Sequence, residues 1–456
     1  MALNLSHDMP EEYQQMFTEC FEVWRKKATR NRLRARYADG KNKLKDFGIS
    51  IPPSLRNVET VVGWPEKAVE DLANRSRFEG YSCADPDTQG ILDALVADNS
   101  MRLEYRQAVR SELISSCAFA VLSPGEEGEP NVVVTFHSAL TASAVWDYRK
   151  KRIAYGMVIS DVDKYGRPTA IDLYHDDGIA RMNLKSGTWN YEDLGPSAMG
   201  QPMMVPLVYK PTLDRPFGRS RISRAVMSIT DAAVRACLNA DISSAFAASP
   251  QKFLLGVDKA TINGLTKWEA YLGSIFAVGT NREGEKPDFG QLAQPSMEPH
   301  NTWLRMLAAR FSGETNIPVS SLGIIHDNPA SAEAIHASES GLIQAAEELN
   351  DYNGEALAQI AKMAVAISLN KPLNSIDREA LEITALFRNP DRPSISTSTD
   401  AAIKIASVKP EFADTSEFWH MLGYSDQESK RIQSQLQAGR SAAIIQQALV
   451  EGAVNG

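Results

Sequence analysis

The side chains able to do chemistry are few and scattered. The densest group is His175 with Asp172, Asp176 and Asp177 in DLYHDDG, an imidazole among three carboxylates. Such a set could hold a divalent cation, but it lacks the helical histidine pair or paired-cysteine spacing of zinc sites. A polar junction between strand and turn accounts for it more simply. His326 beside Asp327, with His336 further on, could do acid–base work, yet loop polarity explains them equally well. Glu347 and Glu348 lie in an apolar-periodic helix, where paired carboxylates normally form a solvated face. The four cysteines, Cys20, Cys83, Cys117 and Cys237, stand far apart without a CxxC pair and read as buried, reduced thiols. No GxxxxGK[ST] phosphate cradle, GxGxxG turn or GxSxG elbow occurs. No nucleophile, base and orienting group can be named together, so the reading is non-enzymatic, with no cofactor or metal expected.

The elements around these residues describe a large folded chain. Its 456 residues suggest two to four domains or subdomains, and 43% apolar with 23% charged residues is a globular composition. No apolar run is long enough to span a bilayer, so no membrane partner is expected, and the first residues lack a signal-peptide pattern. A net charge of −9 argues against tight nucleic-acid binding, which draws affinity from counterion release to Lys and Arg. One segment runs against the average: residues 25–45 hold ten basic residues and one acid, Asp39. That run is either an anionic contact surface or a solvated helix face paired with acidic neighbours.

Helical spacing of Tyr13, Met16, Phe17, Cys20, Phe21 and Trp24 predicts a helix over 8–45, ending near Gly40. Another helix starts at about Trp64. From Val121 to Val208, VVVTFHS, AVWDYR, IAYGMVIS, AIDLYH and GIARMNL predict antiparallel strands, so the fold class is α+β. A helix capped by Ser220 or Ser223 runs to about Ala248, with Ile222, Val226, Ile229, Ala233, Cys237 and Ala240 as its apolar stripe. Short strands and turns fill 251–296. A helix follows over 298–311, with Trp303, Met306, Leu307, Arg310 and Phe311 spaced for one face. Gly313, Pro318, Gly323 and Pro329 predict a loop, and a very long helix carries Ile335, Leu342, Ala346, Leu349, Ala356, Ile360, Ala364 and Ile367 inward. After Pro390 a linker leads into short helices.

Taken in order, YADGKN, GISIP, the PLV strand, FGRS, IPVSSLGI, DNPASAEAI and the Glu-rich helix after them resemble the bacteriophage portal protein family. The resemblance covers roughly residues 10–390. It implies a ring of twelve subunits at one capsid vertex, built from wing, stem, clip and crown around a DNA channel. By that analogy the wing is 1–218 together with the long helix and following strand over 333–393. The stem helices are 219–249 and 298–312, the clip is 250–297, the tunnel loop 313–332 and the crown 394–456. The tunnel loop would present Glu314, Asn316, Ser320, Ser321, His326, Asp327 and Asn328 to DNA. Stem packing between subunits would use Ala233, Cys237, Ala240 and Ser244. The clip loop, through Asn281, Arg282, Glu283, Glu285 and Lys286, would meet motor or adaptor. The implied partners are further copies of the chain, double-stranded DNA without sequence preference, the terminase large subunit, a head–tail adaptor, the major capsid protein and a scaffold. The implied location is the virion, after assembly in the bacterial cytoplasm. Two competing readings are a nucleic-acid-binding or processing protein using 25–45 and a capsid shell subunit.

Overall fold

Met16, Phe17 and Cys20 form the buried stripe of the first helix in the computed structural model, α1 (Glu11–Ala38). Glu11 and Glu12 in its first turn and Arg36 in its last oppose the helix dipole. It ends at Ala38, next to the expected terminus, where Gly40 takes a φ of +66°. The structure describes residues 3–42, 60–197, 199–248, 252–255, 288–291, 296–324, 332–391, 395–424, 428–429 and 431–436.

Helix α2 (Trp64–Ala73) begins where expected, followed by β1 (Phe78–Ser82), α3 (Pro86–Asp98) and α4 (Met101–Ser115). Asp85 caps α3 by accepting the Thr88 N–H at 2.9 Å. The predicted strand region then forms two antiparallel sheets. One has the order β3-β2-β9, from β2 (Cys117–Pro124), β3 (Val132–Ser138) and β9 (Met204–Val208). The other is a meander of β4 (Ala142–Asp147), β5 (Arg152–Val162), β6 (Pro168–His175), β7 (Gly178–Lys185) and β8 (Thr188–Pro196). The sequence reading had not singled out β8, whose Glu192 and Asp193 dilute its apolar pattern. Met157, Ile171, Leu173, Ala180, Met182 and Trp189 of the meander pack on α1 as a separate small core.

The main core lies where α2, α4, β2, β9 and the later helices meet. These helices are α5 (Arg224–Ala248), α6 (Glu298–Thr315) and α7 (Ala332–Ser368). Strands β10 (Lys252–Leu255) and β11 (Asp288–Gln291) pair between α5 and α6. Beyond α7, β12 (Thr384–Phe387) returns to pair with β1, setting Phe387 opposite Phe78. That strand is the one expected after the long helix. Residues 1–390 form one compact unit, and residues 391–456 another. The second holds α8 (Ile395–Val408) and α9 (Ser416–Met421), with Phe412, Phe418, Trp419 and Tyr424 in successive edge-on contacts.

Three expectations are corrected by packing. Helix α6 continues through Gly313 to Thr315, because an interior glycine costs only about 1 kcal/mol while Phe311 and Thr315 are buried on either side. Its predicted single face is split: Leu307 and Phe311 are buried, whereas Trp303 and Met306 are 45% and 44% exposed and Arg310 is exposed. On α7, Ile335 is 50% exposed and the buried stripe starts at Leu342. From Ala356 to Ala366 that helix is buried on nearly all sides, which marks it as a central element rather than a surface one.

Candidate functional site: the helical hairpin and its joint

Helices α5 and α6 pack on each other as an antiparallel hairpin, with Ser223 near Glu314 and Ser243 near His300, and β10 and β11 pair between them. Lys252 faces Gln291 and Leu255 faces Asp288, so the two ends of the intervening segment are held together. Ser243 Oγ lies 3.0 Å from His300 Nε2, a polar link between the two helices.

The base of the hairpin is built by the segment 217–223. Gly218 takes a φ of +64°, and a Cβ there would stand 2.1 Å from the Tyr209 carbonyl oxygen, so only glycine fits. Ser220 Oγ donates to the Ile114 carbonyl at 2.5 Å, satisfying the C-terminal end of α4. Arg221 is 7% exposed and spends its guanidinium on three elements. Nε donates to Ala68 O of α2 at 2.6 Å, Nη1 to Tyr209 Oη at 3.0 Å and Nη2 to Thr315 O at 2.6 Å. The last contact places a cation on the open carbonyl end of α6. Ser223, not Ser220, caps α5, accepting the Val226 N–H at 3.1 Å. The same hydroxyl donates to Glu314 Oε1 at 2.8 Å, tying the end of α6 to the start of α5. The FGRS motif and the arginine after it are therefore an architectural joint.

The sequence-predicted residues are distributed as follows. Glu314 is exposed but lies in the last turn of α6 rather than in a loop. Asn316 ends that helix in the left-handed region, φ +56°, which its short polar side chain tolerates. Ser320 is exposed and Ser321 half-buried on a short 3₁₀ turn, Val319–Leu322. His326, Asp327, Asn328, Asn281, Arg282, Glu283, Glu285 and Lys286 lie outside the described residues. On α5, Ala233 is fully buried inside the subunit, so it has no surface to offer a neighbour. Cys237 and Ala240 are half-buried, and Ser244 is exposed with its hydroxyl donating to Asp241 O at 2.8 Å. The small residues free to meet another surface are thus fewer than the pattern suggested, and exposed Trp303 and Met306 on α6 join them.

Two of the three carboxylates around His175 are already committed. Asp172 accepts from Arg181 Nε and Nη2 at 2.6 and 3.0 Å, and Asp176 pairs with Lys150 and Arg152. His175 itself is buried edge-on to Tyr13. Among the described residues no group of His, Cys, Asp and Glu has the geometry of a metal site. Cys20 and Cys117 are buried, and all four cysteines are free thiols.

Sequence reasoning missed Arg221, since a lone arginine before a helix carries no periodic signal. It also missed a buried polar cluster under α7. Asn353 Nδ2 donates to Glu112 Oε2 at 2.9 Å and to Tyr105 Oη at 3.0 Å, and Tyr105 Oη lies 2.7 Å from Ser76 Oγ. Glu112 is wholly buried, and loss of solvent pushes its carboxyl up to about 8 against a weaker opposing effect of the Asn353 bond. Oε1 has no partner among the described residues, which suits a neutral carboxyl better than a carboxylate.

No protein-family model matches the chain. Two curated relatives do. The portal protein of Mycobacterium phage L5 is 25% identical over 382 residues, covering 81% of this chain and 77% of the relative. The portal protein of Mycobacterium phage D29 is 24% identical over 381 residues, with the same coverage of 81% and 77%. Among solved structures, a chain of the virion of a native gene transfer agent particle overlays 79% of this chain and 90% of its own at 13% identity, TM-score 0.41. A chain from the neck of the empty particle, computed with C6 symmetry, does so at 15% identity, TM-score 0.42, with 79% and 90% covered. Over about four-fifths of its length this chain is similar in sequence to the portal proteins of two mycobacteriophages.

Proposed function

We propose that this chain is a portal subunit that assembles with copies of itself into a closed ring at one capsid vertex of a tailed phage. The ring would be the conduit through which the terminase motor packages double-stranded DNA, and the platform on which a head–tail adaptor docks. The observation that carries this reading is the relationship to portal proteins over 81% of the chain. The α5–α6 hairpin would serve as the stem, the segment between β10 and β11 as the clip, and the segment after α6 as the tunnel loop. The residues after 390, a separate compact unit, would form the crown. The role is structural rather than catalytic: the protein supplies a passage, and the motor supplies the work. A net charge of −9 suits a passage that must release its cargo. Assembly would occur in the host cytoplasm before the particle matures.

Light scattering followed by negative-stain imaging of the purified chain tests this. Closed particles of about a dozen copies with a central hole are expected, because a head-to-tail contact that closes on itself makes a ring. A monomer at every salt and protein concentration would overturn the ring reading and favour a DNA-binding role for residues 25–45.

The stem role makes a narrower prediction. Ala240 is half-buried on α5, where a neighbour could meet it. Ala240→Leu is expected to abolish or enlarge rings while leaving the melting temperature of the subunit within a few degrees, since surface substitutions cost about 0.5 kcal/mol or less. Native-sized rings from this variant would remove Ala240 from the contact.

A further inference from the structure

We infer that the basic outer face of α1 docks a second copy of this chain, which lays the acidic outer stripe of α7 against it. This rests on the ring reading above and names the surfaces that would make the ring.

From residue 25 to residue 36, α1 carries seven Lys or Arg and no acid. Arg30, Arg32 and Arg36 are exposed, and none has a hydrogen bond or ion pair with any described residue. Leu33, 44% exposed, sits among them. Burial, with the Arg30 charge as a smaller contribution, lowers Lys27 and brings Arg34 down to about 10. Arg34 Nη1 finds the Ser115 carbonyl at 3.4 Å, and its buried Nε has no partner among the described residues. Among the described residues, Arg30, Arg32 and Arg36 face no anion, whereas Lys26 pairs with Glu22 at 3.4 Å.

Helix α7 holds the opposite arrangement. Glu347, Glu348, Asp351 and Glu355 are exposed on one side, and the helix has no Lys or Arg before Lys362. Like charges four apart cost a helix about 0.2–0.5 kcal/mol per pair. Among the described residues, the one cation paired with this group is Lys210, 4.0 Å from Glu348. Tyr352, 37% exposed, lies between the acids as Leu33 lies between the arginines. Each face thus has an apolar centre and a charged rim, the build of a protein interface. At 1.5 Å per residue the Arg30–Arg36 and Glu347–Glu355 stretches run about 9 and 12 Å, a workable match.

Position in the fold points to a second copy as the occupant. Helix α1 packs on β4, β5 and α4, whereas α7 packs on β2, β9 and β12. Two unlike faces on different elements of one unit pair head to tail between copies, and such heterologous contacts generate rings. DNA could neutralise the α1 face alone and would leave the α7 stripe unopposed. A second copy satisfies both with one contact.

Charge reversal tests this on the full chain. R30E/R32E/R36E and E347K/D351K/E355K are each expected to cut the fraction of subunits in rings at least tenfold by light scattering and imaging. The chain carrying both sets is expected to recover rings, which excludes misfolding as the cause of either loss. If the wild type forms rings and either reversal alone leaves them intact, the inference falls while the ring reading stands. Failure of the combined variant to recover rings also overturns it. Rings that persist in the arginine variant but lose retention of double-stranded DNA on a gel would assign the α1 face to DNA instead. A wild type that forms no rings removes the ring reading itself, and this inference with it.

Discussion

Replacing Arg221 by methionine is expected to destabilise the first unit by about 3–5 kcal/mol, the range for removing one partner of a buried charged hydrogen-bond network. Methionine keeps most of the apolar stem but leaves Ala68 O, Tyr209 Oη and Thr315 O facing an apolar side chain. Each buried polar group left unmatched costs about 1–3 kcal/mol. Thr315 O matters most: it is an open carbonyl at the end of α6 that loses the Arg221 donor, so the hairpin base should loosen first. Tyr209→Phe removes one of the three bonds and should cost only about 1 kcal/mol. Urea unfolding followed by tryptophan fluorescence measures both. Equal midpoints for R221M and the wild type would show that the guanidinium does not hold the joint.

Stability is expected to fall as pH rises from about 5 to 8, and Glu112→Gln should remove that part of the dependence. In the native subunit the Glu112 carboxyl keeps its proton up to about 8, while in the unfolded chain it releases it near 4.5. Between these values the native state holds the extra proton, so each pH unit upward costs at most about 1.4 kcal/mol. The contribution is complete below the unfolded value and is lost as pH passes through the folded one. Glutamine has the same shape, cannot ionise and can still accept the Asn353 N–H through its carbonyl oxygen. The variant should therefore match the wild type near pH 5 and exceed it by a few kcal/mol at about pH 8. Parallel profiles for the two proteins would show that the carboxyl is already ionised in the native state. The residues that respond are those under α7, since Asn353, Tyr105 and Ser76 share the cluster.

The helices that carry the candidate site were legible in the sequence. A cap at Ser220 or Ser223, a stop at Pro250 and an apolar stripe located α5, and the loop-then-long-helix pattern located α6 and α7. These are local signals, in which each residue type acts on the backbone within a few positions. The errors have one source. Gly313 reads as a helix breaker, but its neighbours Phe311 and Thr315 are buried in the tertiary core and carry the helix through it. Ile335, Trp303 and Met306 read as core residues and are exposed, because periodicity gives a direction around a helix and not what stands there. Ala233 reads as a subunit contact and is consumed inside the subunit for the same reason.

Composition and motif spacing by themselves determined the α+β class, the antiparallel meander, the long helices, the absence of recognisable catalytic motifs and the resemblance to portal proteins. Each of these depends on residue type and on short-range geometry. Only the tertiary structure decided that FGRS and Arg221 are a joint, that Glu112 and Asn353 meet across 241 positions, and that β1 pairs with β12. It also set Arg30, Arg32 and Arg36 of α1 and the acids of α7 on different elements of one unit. Those facts depend on which distant surfaces exclude water together, and no local pattern encodes that.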